Sequence, residues 1–477
     1  MFSKIQKLTQ DWMYKDISWL GRLAAIKCNL LPKILYLFRT IPIHILAKFF
    51  TSLQGLLTKF IWQKRKPRIA YSSMSSSKRN GGLALPNFKK YYQACHLNFL
   101  QRFFDTNNPP QWISQELSVI STTGIPIVSA IWIPPKLRQG KQNYLPATEA
   151  SLKIWDSLIH NDNLKNGLYS HFPIIGFQHL IDNLNLNVWM QTNIITFANL
   201  FQKGVYQPFS YLRSKFKAPN TTFFTYLQLS SYLRSNSLPK LKAFSIDQER
   251  LFTLLKHPSK ISQYYALVLE MNPQETSSYM KKWESEINTT IDPIDWNKAF
   301  STLFSSISSI RLLESSVKLM YRWYMTPAKL YRIFPATASN KCWRNCNQTG
   351  TFIHIWWDCP EISQFWLTIF PVLSELFQVN IPISPRLALL NLDLDHISWN
   401  KKRLLIHILA ASRLMKARNW KSTTTPSLKD VILILNNHSI LEYFNARNNH
   451  ILHKYHAKWD LWNNNKYAGE NPTSNFI

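Results

Sequence analysis

The chain has 477 residues and carries 56 Lys and Arg against 26 Asp and Glu, a formal net charge of +30. Hydrophobic residues at 45% and aromatics at 14% exclude wholesale disorder, five cysteines exclude a disulfide scaffold, and 11 glycines starve glycine-rich phosphate loops and β-rich turns. What remains is a mainly α, multi-domain protein of a reducing compartment, cytoplasmic or nuclear, whose surplus charge calls for an anionic partner.

In chain order, Trp19, Leu23, Ile26 and Leu30 recur at helical spacing behind Ser18, a residue able to cap a helix. Pro32 breaks or restarts that helix, and Pro42 opens the next, with Ile45, Phe49, Leu53, Leu56 and Phe60 as its apolar ridge. The ridge runs out into Gln63-Lys64-Arg65-Lys66-Pro67-Arg68. Asn80-Gly81-Gly82 then predicts a short β-hairpin near the N-terminus, pairing Arg68–Tyr71 with Leu83–Leu85. An amphipathic helix follows through Phe88, Tyr92, Cys95, Phe99 and Phe103, and the Asn/Pro cluster 107–110 marks a boundary. Residues 111–300 read as irregular and mostly helical. A long helix is expected from Trp296 to Trp323, ending before Pro327, and further helices over Ile362–Val379, Lys401–Trp420 and Ser427–Trp462. The expected division is a basic helical region 1–105, a helical linker 106–330 and a Cys/His-bearing helical domain 331–477.

These regions carry net charges of +15, +8 and +7, so half of the surplus lies in the first. The start has no apolar core resembling a signal peptide. The greasy stretch 17–62 is interrupted by Arg22, Lys27, Lys33, Arg39, Lys48 and Lys59, each costly at a bilayer centre, and Leu117–Pro135 reads as a buried connector. Nucleic acid is thus the expected partner, and a membrane is not. Lys64, Arg65, Lys66 and Arg68, followed by Lys78, Arg79, Lys89 and Lys90, would grip phosphates without sequence preference if they share a surface; otherwise they form a solvated face.

Three of the five cysteines fall within eighteen residues in the pattern Cys342-x3-Cys346-x7-His354-x4-Cys359. Three thiolates and one imidazole complete a closed tetrahedral Zn²⁺ site, structural because no coordination position stays open. The competing reading is three reduced thiols and a surface histidine. Gly350 sits where such a zinc-knuckle-like element must fold back. Trp343, beside Arg344, either stacks unpaired bases or joins Trp356 and Trp357 in the hydrophobic wall of a small domain. No GxxxxGK[ST], GxSxG, HExxH or Asp-Asp motif occurs. Asp393 and Asp395 lie in an isolated connector, and His44 and His96 stand alone on apolar helices, so no catalytic residue and no small-molecule substrate are expected.

The strings WLGRLAAIKCNLLPKILYLFRTIPI, KFIWQKRKPRIA and NGGLALPNFKKYYQA resemble the segment after the reverse-transcriptase palm of LINE-family (non-LTR) retrotransposon polyproteins. FFTYLQLSSYLRS, YRWYMTPAKLYRIF, CWRNCNQTGTFIHIWWDCPEISQFW and AASRLMKARNWK resemble that family's carboxy-terminal region, in the same order. The resemblance implies a helical thumb over 1–105, with Arg22, Lys27, Lys64, Lys66 and Arg68 against a nucleic-acid backbone, then a wrist-like linker and a terminal Cys/His domain. It implies Cys342, Cys346, His354 and Cys359 as the zinc ligands. The palm and its paired aspartates have no counterpart in the sequence. What is implied is therefore low-specificity binding of RNA or single-stranded DNA without chemistry. Two other readings stay open: a truncated transposable-element remnant, and a protein-interaction module acting with an intact reverse transcriptase.

Overall fold

The protein is described from a computed structural model, covering residues 2–105, 109–123, 125–138, 143–159, 168–169, 172–181, 183–202, 204–235, 241–242, 245–271, 278–395 and 397–468. It is mainly helical. Among the described residues the only strand pairs are Leu168–Tyr169 with Leu241–Lys242, parallel, and Phe201–Gln202 with Val205–Tyr206, antiparallel and turning at Gly204 with φ +77°. No helix among them is long and apolar enough to cross a membrane. The chain packs into two compact units that cut across the three sequence regions. One contains Met1–Asp16, Gly21–Ile61 and Pro86–Pro273; the other contains Ile17–Leu20, Trp62–Leu85 and Gln274–Ile477.

In the first unit the centre is Phe88–Gln101, which packs against Leu31–Thr40, Pro146–Ile159, Ile246–Lys256 and Ile261–Glu270. Asn87 starts it: its side chain accepts from the Lys90 N–H at 3.1 Å, satisfying one of the first-turn donors that no carbonyl reaches. Burial on several sides explains why Cys95 and His96 lie inside with Leu97 and Leu100. His96 Nδ1 meets Ser151 Oγ at 2.7 Å. Trp132, Trp155 and Trp189 fill the adjoining core, and Trp155 Nε1 donates to Ile131 O at 2.7 Å. Pro32 restarts the chain as expected. The turn before it, Ile26–Leu30, is a π-turn, which accommodates the neighbourhood of a residue that brings no N–H to the helical ladder.

In the second unit the spine is Trp399–Arg418, packed by Pro293–Ser306, Ile310–Met320, Leu428–Asn448 and Leu452–Asn463. Arg413, fully buried on this spine, donates to Ala388 O at 2.7 Å and Asn391 Oδ1 at 2.6 Å, placing a cation over the carbonyl end of Pro385–Leu390. Residues Ile17–Leu20 and Trp62–Leu85 belong here through three indoles: Trp19 and Trp62 stack at 5.7 Å, and Trp323 lies 5.4 and 5.2 Å from them.

Three expectations need correction. The hairpin near the N-terminus does not form. Tyr71–Ser75 makes a single helical turn, and Leu83 and Leu85 both donate to Met74 O, at 3.1 and 2.8 Å, instead of pairing in a ladder. Gly82 packs so tightly there that a Cβ would stand 2.0 Å from Ser76 O. The long helix expected over Trp296–Trp323 is two helices, because Ile307 turns extended with its side chain buried. The last expected helix also divides, where His450 adopts φ +57°.

Candidate metal centre and basic surfaces

Cys342 and Cys346 sit on a tight loop closed by an antiparallel bridge between Lys341 and Thr349. The Cys342 N–H donates to Gln348 O at 2.9 Å and the Gly350 N–H to Asn340 O at 2.8 Å. Asn345 and Asn347 take φ +56°, the left-handed region that asparagine tolerates better than most residues, and so turn the chain within so few positions. The Arg344 N–H points at Cys342 Sγ, 3.5 Å away.

The other two donors come from the following segment. His354–Asp358 is a π-turn, and the Cys359 N–H donates to His354 O at 2.9 Å. On an α-helix, residues five apart lie about 140° around the axis. The wider turn with its i to i+5 bond folds His354 and Cys359 toward one side, as an x4 spacing requires. Pro360 then starts Pro360–Phe377, whose first turn is anchored by Ile362 and Ser363 donating to Cys359 O, both at 2.8 Å.

The four donor atoms lie within 4.8 Å of one another. Cys342 Sγ and Cys359 Sγ are 3.9 Å apart, against about 3.8 Å for two sulfurs on one tetrahedral ion at ~2.3 Å. Cys346 Sγ and His354 Nε2 are 3.2 Å apart. Burial lowers the His354 pKa, keeping the imidazole neutral as a ligand must be. Burial drives the Cys342 thiol up to about 12. At Cys346 the upward push of burial is outweighed by hydrogen bonds, from the Gln348 backbone first, and the thiol sits low.

The surroundings also fit a metal. Lys416 is fully buried, its Nζ 5.5 Å from the Trp356 ring and 5.2 Å from the Trp420 ring, and no group among the described residues accepts a hydrogen bond from it. Arg344 is buried beside it; one nitrogen donates to Asn419 O at 3.0 Å, and Nε and Nη1 find no acceptor among the described residues. Burial and then Arg344 push the Lys416 pKa down, while Cys359 and Cys342 pull it back. Three thiolates around a divalent ion carry net charge −1, which would offset part of the charge of these two cations. A group of this composition can hold a metal ion.

Trp356 is fully buried against Tyr324 and Trp420 at 5.2 and 5.5 Å, so it is part of the wall. Trp343 is half-buried and meets Trp420 edge-on at 5.5 Å, with Lys421 Nζ 6.0 Å from its ring.

The expected phosphate-gripping residues fall in both units. Lys64, Arg65, Lys66, Arg68, Lys78 and Arg79 are exposed in the second; Lys89 is exposed and Lys27 and Lys90 half-buried in the first. Burial, then Lys89, lowers the Lys90 pKa. Arg22 is a different case. It is 1% exposed and donates to Met13 O at 3.0 Å and Lys15 O at 2.9 Å, capping Phe2–Met13, so its guanidinium does not face a phosphate. Arg344 is likewise turned inward. Asp393 pairs with Arg386 at 3.0 Å and Asp395 with Lys298 at 3.6 Å. Sequence reasoning missed Lys282, Lys329 and Arg332, which line one cleft with Arg68. They lie on two separate helices and carry no local signal. No protein-family model matches the chain.

Proposed function

We propose that this protein binds nucleic acid, RNA or single-stranded DNA, with low sequence specificity and in a holding role, and that it is related to the post-palm region of LINE-type reverse transcriptases. The observation that carries the reading is the exposed run Lys64, Arg65, Lys66 and Arg68, with Lys78 and Arg79 also exposed, on one short segment of a chain with net charge +30. Closely spaced exposed cations suit a polyanion better than a single small anion, because each phosphate neutralised releases counterions. The quoted sequence strings support the relationship. A zinc ion held by Cys342, Cys346, His354 and Cys359 belongs to the same reading, as the rigid support of the terminal unit. Cytoplasm or nucleus is the compartment in which such thiols stay reduced.

The test is fluorescence anisotropy of a short labelled single-stranded RNA on the full chain across a salt series. Six phosphate contacts give a log–log slope of about −4, a loss of roughly two orders of magnitude in affinity between about 50 and 200 mM salt. A change of less than about threefold over that range overturns the proposal.

A further inference from the structure

Glu286, Arg322, Thr326, Lys329 and Thr351 lie on different segments of the second unit, yet they line one cleft of about 480 Å³. Arg68, Lys282 and Arg332 complete its rim, and Tyr279, Tyr321 and Phe352 supply apolar wall. Among the described residues the cleft has one acid, and that acid is already occupied. Glu286 pairs with Arg322, whose guanidinium lies 4.4 Å from the Phe352 ring, and its other oxygen accepts from the Ile353 N–H at 2.9 Å. Arg68, Lys282, Lys329 and Arg332 make no ion pair among the described residues. Four cations thus converge on a cleft whose one carboxylate among the described residues is spent, at a cost in mutual repulsion that a bound anion would relieve. Lys329 registers this: burial, then Arg68, Lys282, Arg332 and Arg322, lower its pKa. The volume lies within the about 300–1,000 Å³ of ligand sites, large enough for a phosphate with its sugar.

We propose that this cleft seats a backbone phosphate of a single-stranded nucleic acid, held by Arg68, Lys282, Lys329 and Arg332, with Ser278 and Thr351 as neutral donors. A strand is favoured over a free anion because Arg68 is both a lining residue and the last cation of the exposed run from Lys64. A polyanion bound along that run therefore shares Arg68 with the cleft. The proposal rests on the nucleic-acid reading above and locates one of its contacts.

The experiment compares the full chain with the triple variant Lys282→Gln/Lys329→Gln/Arg332→Gln, using the same labelled RNA and salt series. A control variant, Lys429→Gln/Arg447→Gln/Lys454→Gln, removes three exposed cations elsewhere in the unit. The cleft variant is expected to lose about tenfold or more in affinity and to flatten the salt slope by about 1 to 2, whereas the control changes little. Lys282→Arg/Lys329→Arg keeps the charge and retains binding, which separates loss of the site from loss of fold. Equal behaviour of the cleft and control variants overturns the cleft while leaving the wild-type salt dependence, and hence the broader reading, intact. A wild-type chain that fails to bind RNA overturns both. Displacement of the RNA by poly-glutamate at equal charge concentration also overturns the proposal, in favour of an acidic protein partner.

Discussion

Glu442 holds together a charged cluster in the second unit, and its removal has a calculable cost. Both carboxylate oxygens accept from Lys458 Nζ at 2.9 Å, one also accepts from Trp459 Nε1 at 2.7 Å, and Ser308 Oγ donates to the other. Lys458 is 3% exposed and lies 3.1 Å from His407 Nδ1. Burial raises the Glu442 pKa, but Lys458 and the two other donors, Ser308 and Trp459, outweigh it and hold the carboxylate below its usual range. At 2.9 Å and an effective dielectric of about 20, the pair attraction is roughly 6 kcal/mol before desolvation. Glu442→Gln keeps the shape and removes the charge, leaving a buried ammonium without an anion; the expected loss is about 3–5 kcal/mol. For a unit of this size that is a fall of roughly 10 °C in the melting temperature. Glu442→Gln/Lys458→Met removes both charges and is expected to recover about 2 kcal/mol or more of that loss. The assay is thermal and urea unfolding of the full chain followed by tryptophan fluorescence. A single-variant loss below about 1 kcal/mol, or additivity in the double variant, refutes the reasoning.

Purified protein should contain about one zinc per chain, and Cys346→Ser should abolish it, as read by metal analysis; a metal-free protein that melts at the same temperature counts against the centre. Gly82→Ala drives a Cβ to 2.0 Å from Ser76 O, so it should cost at least about 3 kcal/mol in urea unfolding, whereas Gly55→Ala, with nothing within 4 Å, should be neutral or slightly stabilising. Burial, with a smaller push from His44, holds His96 down at about 4, against about 6.5 in an unfolded chain. Between those values the unfolded chain takes up a proton that the folded one refuses. That contribution is complete above about pH 6.5 and declines by about 3 kcal/mol as the pH falls to about 4. His96→Asn should reduce the acid slope of stability against pH, and an unchanged slope would contradict this account.

The helical class and the Cys/His group able to hold a metal were legible because each rests on spacing. The apolar period through Phe88, Tyr92 and Cys95 and the Cys342–Cys359 pattern are local, and local periods survive folding. The break at Ile307 was not legible, since its apolar period runs straight through 296–323 and only packing decides that the chain turns extended there. Arg22 misled for a related reason: an arginine between apolar helix positions looks the same whether its guanidinium ends on a carbonyl or on a phosphate. The cleft was invisible because Arg68, Lys282, Lys329 and Arg332 come together only in the folded unit.

The π-turn at His354–Asp358 has a consequence for how the chain tolerates changes in length. Loops absorb a gained or lost residue at little cost, and an α-helix passes such a change along its axis as a rotation. Here the spare residue in the turn is what brings His354 and Cys359 onto a common side. Deleting Trp357 alone would let the segment relax toward an ordinary helical turn and swing the imidazole away from the thiols, although every ligand would still be encoded. The centre therefore depends on the count of residues in one turn as strictly as on the identity of its four donors.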